Sequence, residues 1–388
     1  MKKNFNYILL IFMVSFNLRL GISSVSPLIT VIKKDLSLTN FQASLLTSIP
    51  VICMGIFAFC VIFFEQRFGK KNSIFFLLLL LGLGTLSRSI FTNYFYLLFT
   101  AFIIGFCVAI IGPLLSGFIK QEFPENSGLL IGIYSLAMGL GSTFASGFAS
   151  ILAALFDGNW NKSLAIWGIL SLISAIFWKN KVTNDSSTTK VDQKIHLPLR
   201  NTTAWKMALF FGIQSGIFYS LITWLVEFFK FKEMSNQESV ILLTAFTAMQ
   251  MAFSFIIPAV MDKFDNNKVW IYICCFSMIG GMLLLSSYDR LEIFLFAVLL
   301  LAFSTGGLFP IALLLPLKFV HSPVEASVWT SMIQAFGYMI GGIVPILIGV
   351  LIDATDNYLV YSIIIGILFI LVLNILLPNR KVTNKNVG

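Results

Sequence analysis

Long apolar stretches separated by short polar segments recur along the whole chain. They lie at residues 7–32, 41–64, 73–92, 95–118, 128–157, 164–180, 204–229, 239–261, 269–287, 291–316, 326–352 and 357–378. Each approaches or exceeds the roughly 20 apolar residues that an α-helix needs to cross a bilayer. The pattern predicts an all-α membrane protein with twelve transmembrane helices.

The longest polar segment lies in the middle of this pattern. Residues 181–203 include a run of hydroxyl, amide and acidic side chains from Thr183 to Thr189, which is unsuited to lipid and is typical of a linker. It divides the chain into an N-terminal six-helix half, 1–180, and a C-terminal half, 204–388, that ends in a short cytoplasmic tail. Similar basic loops at 66–71 and 262–268, 196 residues apart, support a repeat of six helices.

Composition excludes a soluble protein. Of 388 residues, 58% are hydrophobic and 11% charged, against about 25% charged in soluble domains. The net charge of +9 does not require a nucleic-acid partner, because the 26 lysine and arginine residues are distributed as in a membrane protein. With both termini inside, 18 lie in cytoplasmic segments and 6 in external loops, as the positive-inside rule requires. We therefore expect a multi-pass protein of the cell membrane, with both termini cytoplasmic. The first stretch is interpreted as a retained helix, because no small-residue cleavage site follows it.

The sequence contains no arrangement of side chains that is typical of an enzyme active site. The two histidines, His196 and His321, stand alone in polar segments, and the five cysteines lie within apolar stretches. Gly69-Lys70 lacks the upstream glycine of a phosphate-binding loop. The sequence predicts no enzyme, no cofactor and no metal site.

Arg19 is the strongest candidate for function. It lies near the middle of the first predicted helix, where a charge costs about 2.5–3.5 kcal/mol on insertion scales. A structural pair with a carboxylate is the alternative, but all 17 acidic residues lie in loops or at helix ends. We expect Arg19 to face a cavity and to offer its planar guanidinium to an anionic or strongly polar solute.

Other polar and aromatic side chains of the apolar stretches have open roles. Gln214 and Tyr219, and likewise Gln334 and Tyr338, are spaced to share one side of a helix, and they either bind the solute or join helices. Asn17 either shares the cavity or joins helices. Trp224 either stacks on the solute or anchors at the interface. Arg88 is expected to be structural and to reach the interface.

Several segments resemble one transporter family. They are Asn17-Leu18-Arg19, Ser24–Leu28, Ile119–Pro124, Gly132–Tyr134, Gly212–Ser215 with Phe218-Tyr219 and Trp224-Leu225, Gly307–Pro310, and Gln334–Tyr338. They are similar to segments of the cyanate/2-nitroimidazole permease family of the major facilitator superfamily, and they cover nearly the whole chain. The resemblance implies the major facilitator fold and transport of a small solute. Gly112 departs from it, since the family has Asn there.

The basic loops match the loop motif of that superfamily. The matching residues are Arg67, Gly69, Lys70, Lys71, Asp262 and Lys263. We expect their cations to pair with acids or helix C-termini and to control which side of the cavity opens; setting topology alone is the alternative. Arg67→Gln should then slow transport with little change in solute affinity.

The sequence therefore favours a secondary active or facilitative transporter of a small anionic or polar solute (cyanate-, nitroimidazole- or drug-like), working by alternating access. A membrane sensor or assembly partner that does not transport is the alternative. The expected partners are the solute and the lipid bilayer, and a coupling proton is left open, because the lack of a carboxylate in the middle of an apolar stretch argues against the commonest kind of proton relay. Glu227, near the outer end of the seventh stretch, is the group that could titrate, and a monomer is plausible.

Overall fold

The computed structural model describes residues 2–123, 125, 127–182, 197–261, 267–319 and 323–358, and these ranges contain helices and no strand. The helices are α1 (Lys2–Ser23), α2 (Ile29–Leu36), α3 (Asn40–Ile56), α4 (Cys60–Leu86), α5 (Tyr94–Glu122), α6 (Ser127–Leu155), α7 (Trp160–Ala165), α8 (Trp167–Lys181), α9 (Thr202–Phe231), α10 (Asn236–Met261), α11 (Asn267–Ser287), α12 (Leu291–Phe319) and α13 (Pro323–Thr355). The all-α prediction is confirmed.

Ten helical segments of the described chain are long and apolar enough to cross a membrane. One of them, Asn40–Ser89, contains 50 residues and holds the second predicted span and most of the third. At 1.5 Å per residue, a straight helix of that length would reach about 75 Å, well beyond the roughly 30 Å of a hydrocarbon core. The twelfth predicted span, 357–378, lies almost wholly outside the described residues, so the count of twelve stays a prediction.

Gly69 interrupts the long Asn40–Ser89 segment. Its backbone has φ 73° and ψ 163°, in a region that side chains disfavour, and it falls in the basic loop expected between two spans. Glycine permits this turn because it has no Cβ. We call this end of the bundle the Gly69 end, and we call the end where α3 begins the Asn40 end.

The helices form two sets, each with its own buried apolar core. In the N-terminal set, α1 packs on α6 and α8, and α4 packs on α5 and α8. In the C-terminal set, α9 packs on α13, and α12 on α10 and α11. One buried cluster lies wholly within residues 204–352, whereas three smaller clusters lie within residues 7–182.

Two helix pairs, α3 with α13 and α6 with α10, join the two sets. Helix α9 is central, because 89% of its most apolar window is buried inside the protein. It also contacts α3 and the segment that follows α1. Side chains on α1 and α9 can therefore meet between the two sets.

Candidate functional site

Arg19 reaches from the N-terminal set to the C-terminal set. Its Nη1 donates a hydrogen bond of 2.5 Å to the hydroxyl of Tyr219 on α9, and its Cζ lies 5.6 Å from the centroid of that ring. Leu18 and Leu20 are buried beside it, whereas Arg19 keeps partial exposure. Arg19 therefore lies where the two helix sets meet.

Two further tyrosines lie near the guanidinium. Tyr134 on α6 and Tyr338 on α13 are both close enough to Arg19 and to Tyr219 for electrostatic interaction. The ring of Tyr338 packs edge-on against Phe211 with centroids 5.0 Å apart, which fixes its orientation. We call Tyr134, Tyr219 and Tyr338 the phenol cluster.

Gly112 leaves room for one member of the phenol cluster. A Cβ atom built at this position of α5 would lie 3.2 Å from the hydroxyl oxygen of Tyr134, tighter than most real Cβ contacts. A larger side chain here would displace that hydroxyl. The site thus draws Arg19 and Tyr134 from the N-terminal set, and Tyr219 and Tyr338 from the C-terminal set.

The positive charge of Arg19 has no acidic counterpart in the part of the chain that the structure describes. The ion pairs found there involve lysines, and the groups that interact with Arg19 are tyrosines. A cation in a low-dielectric site without a carboxylate attracts an anion strongly. The site can therefore bind a negatively charged group through a planar set of donors.

The two predicted glutamines lie on the helices that carry the phenol cluster. Gln214 on α9 is buried, and its side-chain oxygen accepts a 3.3 Å hydrogen bond from Ser215. Gln334 on α13 is half-buried, one turn before Tyr338. Their part in solute binding stays a prediction.

Asn17 joins helices of the N-terminal set. Its amide nitrogen donates to the Met13 carbonyl and to Ser174, each at 2.8 Å, and its oxygen accepts from Ser171 at 2.9 Å. Ser171 and Ser174 both lie on α8. Asn17 therefore lies in the contact between α1 and α8, and its part in solute binding stays a prediction.

Trp224 is fully buried between α9 and α13. Its indole nitrogen donates to the Pro345 carbonyl at 3.1 Å, and a Cβ at Gly349 would lie 3.0 Å from its ring. Among the described residues, the hydrogen bond of the ring goes to α13 and not to Arg19. The part of Trp224 in solute binding stays a prediction.

Arg88 differs from expectation, because its side chain is buried and does not reach the interface. Its Nε donates to Thr100 at 3.1 Å, and its Nη1 donates to the Gly21 carbonyl at 2.9 Å. Acceptors inside the N-terminal set replace the water that snorkelling would have supplied. The structural role expected for Arg88 agrees with these contacts.

The predicted gating residues of the first loop contact their own helix set. Lys70 forms an ion pair of 3.2 Å with Glu65 and a hydrogen bond with Gln121 at the end of α5. The Lys71 carbonyl accepts from Trp178 on α8 at 3.0 Å, while the Arg67 side chain is exposed. Asp262 and Lys263 lie outside the described residues.

A polar network at the Asn40 end was not recognised from the sequence. We call it the Asn40 clamp, and it consists of Thr30, Lys33, Asn40, Glu227, Asp353 and Tyr358. Lys33 on α2 pairs with the buried carboxylate of Glu227 at 2.9 Å, and Thr30 also donates to that carboxylate. Tyr358 donates to Glu227 at 3.2 Å.

Asp353 forms the other part of the clamp. Its carboxylate accepts the backbone N–H groups of Asn40 and Phe41, each at 2.8 Å, at the start of α3. An acidic group is favoured there by the unpaired N–H groups and the helix dipole. The carboxylate that stabilises the start of α3 is therefore supplied by the other helix set. One signal for this network was present in the sequence, because Glu227 is an acidic residue near the end of the seventh apolar stretch. Its partner Lys33, however, is 194 residues away in the sequence.

Comparison with known families supports a common ancestry over most of the chain. The model described as Major Facilitator Superfamily matches residues 11–342. The chain is 27% identical over 354 residues to the uncharacterized transporter YycB of Bacillus subtilis, covering 90% of this chain and 87% of that protein. It is 26% identical to the cyanate transport protein CynX of Escherichia coli, covering 91% of each, and 26% identical to a 2-nitroimidazole transporter of the same organism, covering 93% and 92%.

Solved structures share the fold at lower identity. A D-xylose-proton symporter superposes with a TM-score of 0.80 at 15% identity, covering 96% of this chain and 97% of that one. The nucleoside transporter NupG superposes with a TM-score of 0.75 at 13% identity, covering 97% and 99%. At these identities the likeness concerns the fold alone.

Proposed function

The chain belongs to the Major Facilitator Superfamily, and the relatives named above are membrane transporters of small solutes. We propose that this protein carries a small anion or a strongly polar solute, which Arg19 binds. The observation that carries the proposal is the guanidinium between the two helix sets, with no carboxylate interacting with it among the described residues. Gln214, Gln334, Tyr134 and Tyr338 are the proposed further ligands.

The names of the relatives agree with this solute class. Cyanate, named for one relative, is a small monoanion, and 2-nitroimidazole, named for another, is a small planar molecule with acceptor oxygens. Another relative, 23% identical, is called a nitrite extrusion protein. A single arginine suits such solutes, since it supplies one positive charge and a fork of hydrogen-bond donors.

Alternating access is the proposed mechanism, with residues 1–180 and 204–388 rocking about the site and 181–203 as their linker. Separate apolar cores support this division. The Asn40 clamp ties the sets together at one end, so the site would be reached from the Gly69 end in this conformation. The distribution of lysine and arginine favours the cytoplasm for the Gly69 end.

Glu227 is the proposed acceptor of a coupling proton. While the clamp is closed, Lys33 forms an ion pair of 2.9 Å with its carboxylate. Opening the clamp would remove this lysine and ease protonation. Nothing in the described residues or in the relatives favours the alternative of a sensor that does not transport.

The test is uptake by purified protein in liposomes, with cyanate, nitrite, nitrate, benzoate and 2-nitroimidazole as solutes. We expect saturable uptake of at least one solute. Arg19→Gln should raise its half-saturation concentration at least about tenfold, because a hydrogen bond to a charged group contributes about 1.5–3 kcal/mol. Arg19→Lys keeps the charge but loses the planar fork, and its effect should be intermediate.

The control is Lys162→Gln, which removes one positive charge at an exposed position of α7. It should leave uptake unchanged. Folded protein that takes up none of the five solutes, or equal losses in Arg19→Gln and Lys162→Gln, would contradict the proposal.

A further inference from the structure

The guanidinium of Arg19 is held by a partner that a solute can replace. Arg19 donates its hydrogen bond of 2.5 Å to the phenol hydroxyl of Tyr219 and not to a carboxylate, so its positive charge has no acidic counter-ion among the described residues. The bond to Tyr219 has a charged donor only, whereas a bond to an anion joins two opposite charges, whose Coulomb attraction in a low-dielectric site adds to the hydrogen bond. An anion that enters the site therefore competes well for the donors that Tyr219 now uses.

We propose that the Tyr219 hydroxyl occupies the position of the first acceptor atom of the solute on Arg19, and that solute binding exchanges one for the other. The inference rests on the proposed function, since it requires a solute at Arg19. Tyr219 then acts as an internal competitor rather than as a ligand. Tyr134 and Tyr338, which do not take this hydrogen bond, donate their hydroxyl groups to the remaining acceptors of the solute.

The exchange changes how the helix sets are connected. The Arg19–Tyr219 bond joins α1 to α9 directly, and it breaks when the solute enters. In its place the solute joins Arg19 and Tyr134 of one set to Tyr338 of the other. A solute can shift a conformational equilibrium only by contacts that differ between the two states, and this exchange supplies such a difference.

The exchange also specifies the solute more narrowly. One guanidinium and two phenol O–H groups provide one positive charge and several donors. No second cation interacts with Arg19 in the described parts of the chain, so a monoanion is matched in charge and a dianion is not. The solute class is therefore a monoanion with at least two acceptor atoms, such as a carboxylate or nitrite.

The experiment compares phenylalanine variants, because each removes one hydroxyl oxygen and keeps the ring. Binding of cyanate, nitrite, nitrate, benzoate and sulfate to the purified full-length protein is measured by calorimetry. Tyr219→Phe should bind the monoanions about three- to tenfold more tightly, since the competitor is gone. Tyr134→Phe and Tyr338→Phe should each bind them about three- to tenfold more weakly. The matched control is Tyr288→Phe, at an exposed position in the segment before α12, and it should bind as the native protein does.

The sign of the Tyr219 effect decides the outcome. Weaker binding by Tyr219→Phe, with binding still dependent on Arg19, would make Tyr219 an ordinary ligand and overturn the exchange while the proposed function stands. Unchanged binding would also overturn it, and sulfate bound as tightly as the monoanions would overturn the charge argument. If none of the anions binds the folded native protein, the proposed function and the inference both fail. Should Tyr219→Phe be too unstable to purify, Tyr219→Leu carries the same expected sign.

Discussion

The two arginines of the apolar segments use their charge in different ways. Arg88 is buried and donates to a hydroxyl group and a backbone carbonyl of its own helix set, so its guanidinium stabilises packing. Arg19 keeps partial exposure and donates to a hydroxyl of the other set. The same residue type therefore has a structural role in one place and a proposed binding role in the other.

Their substitution by methionine should separate these roles. Arg88→Met leaves the Gly21 carbonyl and the Thr100 hydroxyl without this donor, and we expect the stability of the protein to fall by about 1–3 kcal/mol. Arg19→Met removes a charge without a carboxylate partner, and its cost should stay below about 1 kcal/mol. Unfolding in detergent, followed by circular dichroism, measures both. Equal destabilisation by the two variants would contradict this assignment.

At the scale of elements, the Asn40 clamp joins α2 and α3 to α9 and α13. We expect Glu227→Gln to open that end more often, because the amide cannot form the ion pair with Lys33. A cysteine introduced at Thr223, one turn deeper on α9, reports the opening through its reaction with a membrane-impermeant maleimide. The background is a protein whose five native cysteines are replaced by serine or alanine.

The control for this experiment is Asp289→Asn. Asp289 pairs with Lys232 at 2.7 Å, but both residues belong to the C-terminal set, so this ion pair does not join the sets. Asp289→Asn should leave the labelling rate unchanged, whereas Glu227→Gln should raise it severalfold. An increase of the same size in both variants would show that the clamp does not control access.

The loop at the Gly69 end provides a second element-scale prediction. Arg67 is exposed, and Lys70 already pairs with Glu65 and Gln121 in this conformation. Arg67→Gln should therefore lower the maximum transport rate several-fold and leave the half-saturation concentration within about twofold, since Arg67 lies in the loop at the Gly69 end and not on a helix that carries the site. Uptake measured over a range of solute concentrations separates the two constants. A large rise in half-saturation concentration would assign Arg67 to binding instead.

For the whole molecule, topology and the number of spans can be tested together. We expect residue 356, after α13, to lie outside the cell, and residue 388 to lie inside after a twelfth span over 357–378. Alkaline phosphatase fused after 356 should be active, and green fluorescent protein fused after 388 should fluoresce. Alkaline phosphatase fused after 388 should be inactive. Activity of that last fusion would contradict the twelfth span or the cytoplasmic C-terminus.

Much of the architecture was predictable because it depends on local composition. Helix α5 begins at Tyr94 and α9 ends at Phe231, each within about two residues of its apolar stretch. The turn at Gly69 was expected from the basic loop that contains it. Lipid requires every spanning backbone to satisfy its hydrogen bonds internally, so an apolar run of sufficient length can only be helix.

Part of the candidate site could also be selected from the sequence. A charge or a polar group inside an apolar helix is costly, and this singled out Arg19 and, with weaker arguments, Gln214, Tyr219 and Tyr338. Tyr134 was missed, since a tyrosine in an apolar stretch is common and no spacing distinguishes it. Trp224 was a candidate because the sequence does not show which helix its ring packs against.

The sequence by itself determined that this protein is helical, lies in the membrane and carries an arginine deep in its first apolar stretch. Only the tertiary structure decided that Arg19 meets a tyrosine 200 residues away, that Glu227 meets a lysine 194 residues away, and that Asn17 and Trp224 join helices. The physical reason is the distance along the chain over which each interaction acts. Hydropathy and helix formation depend on neighbours within a few turns, whereas the rotation of each helix about its axis depends on the packing of side chains from both sets.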